Sequence, residues 1–217
     1  LTRVVSKQLL PIYDKPMIYY PLATLMLANI KDILIITTVE DKDLFVALLG
    51  DGSSLGINIK FMTQAQPKGL PEAFIIGEHF IGDDSVCLIL GDNIFHSDNF
   101  AHRYLLPSFQ KKSPIVFGYH VSDPERYGVV EFDAQDNVLS LEEKPVRAKS
   151  NYAITGLYVF DKHAPSIAKG LTPSERGELE IVDMLNYYLE SNNLKVELLG
   201  RGVSWLDTGT HDSLMEA

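Results

Sequence analysis

The chain has 217 residues, 46% of them hydrophobic, which is enough to bury one sizeable core at the upper end of single-domain size. Its 19 basic residues stand against 29 acidic ones, and a net charge of −10 excludes a broad nucleic-acid face while leaving room for a small anion held by a few lysines in a cleft. No uncharged apolar run reaches membrane-spanning length, no signal-peptide pattern opens the chain, and the one cysteine, Cys87, sits in an apolar run; a cytoplasmic protein with a buried, inert thiol is expected.

The first clear strand is predicted at Ile33 to Thr37, followed by an amphipathic stretch from Lys42 to Leu49 and a second strand from Ile57 to Met62. A helix is expected from Pro71 to Phe80, with proline at its start. The unbroken apolar run Val86 to Leu90 predicts a strand buried on both faces. A helical stretch near Ala101 to Lys111 then precedes a strand at Ile115 to Val121. This alternation argues for an α/β fold, with a mostly parallel twisted sheet flanked by helices. The second half changes character: Gly128 to Phe132 and Val138 to Leu141 flank a polar loop and predict a small antiparallel appendage. Tyr152 to Phe160 reads as a further strand, and Glu178 to Glu190 as a helix with Leu179, Val182, Leu185 and Leu189 on one face. A last helix is expected from near Thr210. No Pro-, Gly- or Ser-rich linker divides the chain, so residues 1–217 are expected to form a single domain.

Several residues could carry chemistry. Asp92, in Leu90-Gly91-Asp92-Asn93, directly follows a strand at the end where open α/β sheets place ligands. It reads either as a ligand for a hard cation such as magnesium or as a turn aspartate capping its neighbours. Asp207, in Trp205-Leu206-Asp207-Thr208-Gly209, reads as a helix-cap turn that gains a metal role only by converging with Asp92. Lys7 and Lys144 are either surface charges or phosphate contacts. Tyr127-Gly128 either admits a ligand close to the backbone or simply begins a strand. Gln64, with Gly69 five residues on, falls in a loop, where an amide offering donor and acceptor would suit the N3–H and O4 edge of uracil or thymine and mismatch cytosine. The six histidines show no i, i+4 metal pair, and neither a nucleophile elbow nor a Walker loop is present.

Taken in order, Ser6-Lys7-Gln8-Leu9-Leu10-Pro11, Leu90-Gly91-Asp92-Asn93, Glu125-Arg126-Tyr127-Gly128-Val129-Val130, Glu142-Glu143-Lys144-Pro145, Arg176-Gly177-Glu178-Leu179-Glu180 and Trp205-Leu206-Asp207-Thr208-Gly209 closely resemble the glucose-1-phosphate thymidylyltransferases, within the sugar-phosphate nucleotidyltransferase family. The resemblance implies a Rossmann-like nucleotidyltransferase fold and transfer of a thymidylyl group from dTTP to glucose 1-phosphate, giving dTDP-glucose and pyrophosphate. It implies that Asp92 and Asp207 hold Mg2+ and that Lys7 offsets phosphate charge. Gln8, Gln64 and the Gly69 backbone would contact the nucleotide. Tyr127, Gly128, Glu143 and the backbone at Ile154 would hold the sugar, with Lys144 on its phosphate. The resemblance also implies a homo-oligomer, a homotetramer, serving deoxysugar synthesis. It places a first strand and a Gly-Gly-x-Gly-Thr-Arg-Leu loop ahead of the Ser6 segment and further helices after the last residue, and these 217 residues contain neither. Arg3 aligns with that loop's trailing residues, so the family's catalytic arginine is not carried onto it. Two alternatives stand beside this reading: a related enzyme using UTP or CTP, and a non-catalytic sugar-nucleotide-binding protein of the same fold.

Overall fold

A computed structural model of the chain describes residues 6–111 and 113–208. After a 3-10 turn at Lys7–Leu9, a tight hairpin of β1 (Pro11–Ile12) and β2 (Lys15–Pro16) leads into α1 (Tyr19–Leu27). The strands β3 (Asp32–Thr37) and β4 (Asn58–Thr63), linked through α2 (Lys42–Leu49), pair in parallel with Ile33 beside Ile59 and Ile35 beside Phe61. Their apolar side chains pack with Leu22 and Leu25 of α1 and Phe45 and Leu49 of α2.

The predicted helix from Pro71 is broken at Gly77 into α3 (Glu72–Ile76) and α4 (Glu78–Ile81). A Cβ at Gly77 would meet Ala73 O at 3.0 Å and Leu34 Cδ2 at 3.1 Å, so the break lies where the helix presses on β3. The chain continues through β5 (Val86–Ile89), β6 (Asn93–His96), a π-helical turn at Ala101–Leu105, α5 (Leu106–Gln110) and β7 (Ile115–His120). It then forms β8 (Gly128–Phe132), β9 (Val138–Glu143), β10 (Tyr152–Phe160), α6 (Ala164–Gly170), α7 (Ile181–Glu190), β11 (Lys195–Leu198) and β12 (Ser204–Asp207).

The α/β class is as expected, but the central sheet is mixed. Its order is β11-β7-β10-β8-β9, with β5 also on β10. Only β7–β11 and β3–β4 pair in parallel among the described strands. The long β10 runs antiparallel to β7, to β8 at Ala153, and to β5 from Leu157 to Phe160. Apolar runs report burial on two faces and not strand direction, which is why the alternation suggested a mostly parallel sheet. Along β10 the pleat sends Ile154, Tyr158 and Phe160 into one core, with Met184 and Leu185 of α7, and Ala153, Leu157 and Val159 into another, with Phe117 and Trp205.

A slot of about 560 Å³ separates β3 from β5, walled by Ile33 and Ile35 on one side and Cys87 and Ile89 on the other. β5 is half-buried along this slot. The apolar surroundings still push the Cys87 thiol up to about 12, so it stays protonated and inert. Asp32, Asn58 and Ser85 line one end of the slot, and Gln64, Gly69, Leu90 and Gly91 the other. The carboxyl ends of β3, β4 and β5 therefore open on the same side, where ligands of open α/β sheets bind. Among the described residues no helix is long and apolar enough to cross a membrane. The helix expected from Thr210, like Arg3, lies outside the described residues.

Candidate active site

Asp92 leaves the end of β5, and the Lys7 ammonium lies 3.6 Å from its Oδ2 with both side chains largely shielded from water. Asp207 ends β12, where the antiparallel register sets it opposite Asn93 of β6, and the helix expected after it lies outside the described residues. Asp92, one residue ahead of β6, and Asp207, at the end of β12, thus lie at the same end of the β6–β12 pair. Thr208 secures the junction, its N–H and Oγ1 both donating to Asp92 O, at 3.2 and 2.8 Å. The described residues hold no cluster of three or more His, Cys, Asp or Glu that could hold a metal ion.

The residue that organises this junction escaped sequence reading. Asn93 is buried, and its Oδ1 accepts from Gly156 N at 3.0 Å and from Trp205 Nε1 at 2.7 Å, while its Nδ2 donates to Asp92 Oδ1 at 3.2 Å. A Cβ at Gly156 would lie 2.7 Å from Asn93 Cγ, so glycine is required there. In sequence Asn93 is only a polar residue after an aspartate, because its partners lie 63 and 112 positions away.

Strands carry a second group of predicted residues. Gly128 opens β8 opposite Glu143, the last residue of β9, and a Cβ at Gly128 would stand 3.2 Å from Glu143 Oε2. Glycine thus leaves space directly over that carboxylate. Tyr127 packs its ring on Trp205, centroids 5.4 Å apart, and accepts from Lys144 N at its carbonyl. The Lys144 ammonium is 3.8 Å from Glu143 Oε1, and its backbone adopts φ +43°. Ile154 is buried on β10, its side chain facing Gly128. Burial raises the Glu143 carboxyl above its ordinary value; Lys144 opposes the rise and Glu180 reinforces it. Glu180, held by Ser174 Oγ at 2.7 Å and by Arg176, is a further acid of this group that sequence reading did not single out. Beneath lies Tyr158, whose phenol is held well above its ordinary range by burial first and then by the charges of Glu143 and Asp207.

Loops carry the third group. Gln8 accepts from Ser6 Oγ at 2.7 Å, and a Cβ at Gly91 would come within 2.9 Å of Gln8 Cγ, so the Gly91 turn and Gln8 fit face to face. Gln64 follows β4, its N–H donating to Thr37 O at 2.8 Å and its Nε2 to Glu72 Oε2 at 2.5 Å. Gly69 has φ +94°, and a Cβ there would fall 1.9 Å from Leu179 O. Leu179 also donates its N–H to Lys68 O at 2.8 Å, so the segment before α7 is stapled onto the loop after β4. Leu179 therefore belongs to this crossing and not to the helix face predicted from its spacing.

A family model for nucleotidyl transferases matches residues 1–217. A glucose-1-phosphate thymidylyltransferase of Neisseria meningitidis is 58% identical over 217 residues, covering 100% of this chain and 75% of the relative. One of Mycobacterium tuberculosis is 55% identical over 218 residues, with the same shares of 100% and 75%. A solved Bacillus anthracis structure, assigned as a glucose-1-phosphate thymidylyltransferase and holding sucrose, superposes with a TM-score of 0.90 at 38% identity, over 99% of this chain and 86% of that one. A UDP-glucose pyrophosphorylase complexed with UDP-glucose gives a TM-score of 0.85 at 23% identity over 97% and 88%, a likeness of fold alone. With the whole chain matched and identity above half, the chain belongs to the nucleotidyl transferase family and, within it, to the glucose-1-phosphate thymidylyltransferases.

Proposed function

We propose that this cleft joins glucose 1-phosphate to the thymidylyl group of dTTP, with the named residues in the following roles. A phosphate oxygen of glucose 1-phosphate attacks the α-phosphorus of dTTP. The new O–P bond forms as the α–β anhydride bond breaks, and pyrophosphate leaves with the electron pair. Such transfers need little covalent help, so alignment and charge neutralisation are the protein's main contributions. The observation that carries the reading is the pairing of Lys7 with Asp92 at 3.6 Å, both side chains largely shielded from water.

Lys7, shielded from water, neutralises charge on the reacting phosphates. Gln8, Gln64 and the Gly69 backbone hold the nucleotide. Tyr127, Gly128, Glu143 and the Ile154 backbone hold the glucose, whose hydroxyls the Glu143 carboxylate can accept from, and Lys144 faces its phosphate. Asp92 and Asp207 would hold a divalent cation, and magnesium fits because it binds one or two carboxylates alongside phosphate oxygens. Bound there, that ion would supply positive charge to the nucleotide phosphates. A cytoplasmic homo-oligomer, a tetramer by resemblance, belongs to the same proposal and is read by light scattering on the eluted protein.

The experiment is pyrophosphate release from glucose 1-phosphate with dTTP, UTP and CTP compared. Preference for dTTP supports the reading. Preference for CTP overturns the base assignment, and nucleotide binding without release from any of the three supports the non-catalytic alternative.

A further inference from the structure

Gln64 can discriminate between pyrimidines only if its amide is held one way round. A glutamine amide carries an acceptor at one end and donors at the other, and half a turn about its last torsion exchanges them. Thymine offers a donor at N3 and an acceptor at O4; cytosine offers the reverse, an acceptor at N3 and a donor at N4. An amide free to turn would satisfy either base.

The described structure removes that freedom. Gln64 Nε2 donates to Glu72 Oε2 at 2.5 Å. An ionised carboxylate only accepts, so the NH₂ end of Gln64 is the only end that can face it. Turning the amide would press Oε1 against the carboxylate and leave a lone pair facing a negative charge. Glu72 itself is anchored. It is the first residue of α3, where a negative charge is favoured, its side chain is 18% exposed, and the Lys68 ammonium lies 3.9 Å from its other oxygen. The Gln64 backbone is fixed by Thr37 O. Gln64, Gly69 and Leu70 together line the slot's open end, next to the turn that bears Asp92.

We infer that Glu72 is a positioning residue for base selection: by holding the Gln64 NH₂ group it keeps Oε1 presented as the acceptor for an N3–H donor, favouring thymine or uracil over cytosine. The inference rests on Gln64 being the residue that meets the base. The contact of Glu72 with Gln64 is the route by which it would act.

The test measures the affinity of the full chain for dTTP and dCTP, each with magnesium, in the parent and in Glu72→Ala, Glu72→Gln and Gln64→Ala, alongside thermal denaturation. Loss of one orienting hydrogen bond should narrow the dTTP to dCTP preference about tenfold in Glu72→Ala. In Glu72→Gln the new amide can accept from or donate to Gln64, so the preference should fall by about threefold. An unchanged preference in both Glu72 variants, with a lowered melting temperature, would assign Glu72 to helix stability alone and overturn the inference. The base-reading premise fails separately: in that case Gln64→Ala itself leaves dTTP affinity and preference where they were.

Discussion

The two groups of candidate site residues are built by different means. On the strand-borne side, Gly128, Glu143 and Ile154 occupy paired positions of β8, β9 and β10, and register alone places them. On the loop-borne side, Gln64 and Gly69 follow the end of β4 and are held by crossings to distant backbone: Gln64 to Thr37, Lys68 and Gly69 to Leu179. The first arrangement shares the two large cores around β10; the second rests on the smaller core of β3, β4, α1 and α2. The site proposed between them would hold one substrate rigidly, while its other side would depend on a few close contacts. Substitutions at the joint, on the loops and on the strands should therefore fail in different ways.

The largest effect is expected at the joint, which both sides need. Asp92→Asn keeps the shape and leaves the Asp92 carbonyl free to accept from Thr208, so the fold should persist. Removing the charge should lower turnover by about 10²–10³-fold, the scale for losing one preorganised electrostatic contact. Affinity for glucose 1-phosphate should change little. Initial rates at saturating substrates check this, and near-normal turnover would take Asp92 out of the mechanism.

Gly69→Ala should break the loop side alone. The substitution forces a φ of +94° on alanine and drives its Cβ into Leu179 O. Strain and clash together should cost about 3 kcal/mol or more, and lower the melting temperature by about 6–12 °C for a domain of this size. Gly82→Ala is the control: φ is +58°, but a Cβ there meets nothing within 4 Å, so only about 1 kcal/mol of backbone strain is expected. Equal losses in the two variants would show that the Leu179 crossing contributes nothing.

The same division governs what could be read in the sequence. The strands Gly128–Phe132 and Tyr152–Phe160 and the amphipathic α2, Lys42–Leu49, emerge at or near the predicted bounds, because short β-rich apolar runs and helical spacing are local signals. Helix α1 went unread because Tyr19–Leu27 is apolar on nearly every face and carries Pro21 in its first turn. The four-residue strands β6 and β12 went unread because their ends, Asn93 and Asp207, look like turn residues. The position of Asp92 just beyond an apolar strand was legible from the run before it, whereas Asn93, Glu72 and the Gly69–Leu179 crossing make hydrogen bonds and contacts that no local pattern encodes.

The smallest effect is expected on the strand side, and its sign is informative. The Glu143 carboxyl is raised above 4.5 in the folded chain, chiefly by burial. Unfolded, it returns to its ordinary value. A carboxyl with the higher pKa in the folded state stabilises most fully below its unfolded pKa, and that contribution is lost as pH rises through the folded pKa. At neutral pH the parent therefore carries the cost of a partly desolvated charge, only partly offset by Lys144 at 3.8 Å. Glu143→Gln cannot ionise. Its melting temperature should exceed the parent's slightly at about pH 7, and the difference should close as pH falls towards about 4, where the parent's carboxyl is protonated in both states. The same variant should bind glucose 1-phosphate more weakly, because an amide is a poorer acceptor for sugar hydroxyls than a carboxylate. Thermal scans across that range with parallel binding measurements check both signs. A gap that stayed constant with pH would mean that packing, not desolvation of the charge, sets the stability at this position, and the strand side would then owe its rigidity to register alone.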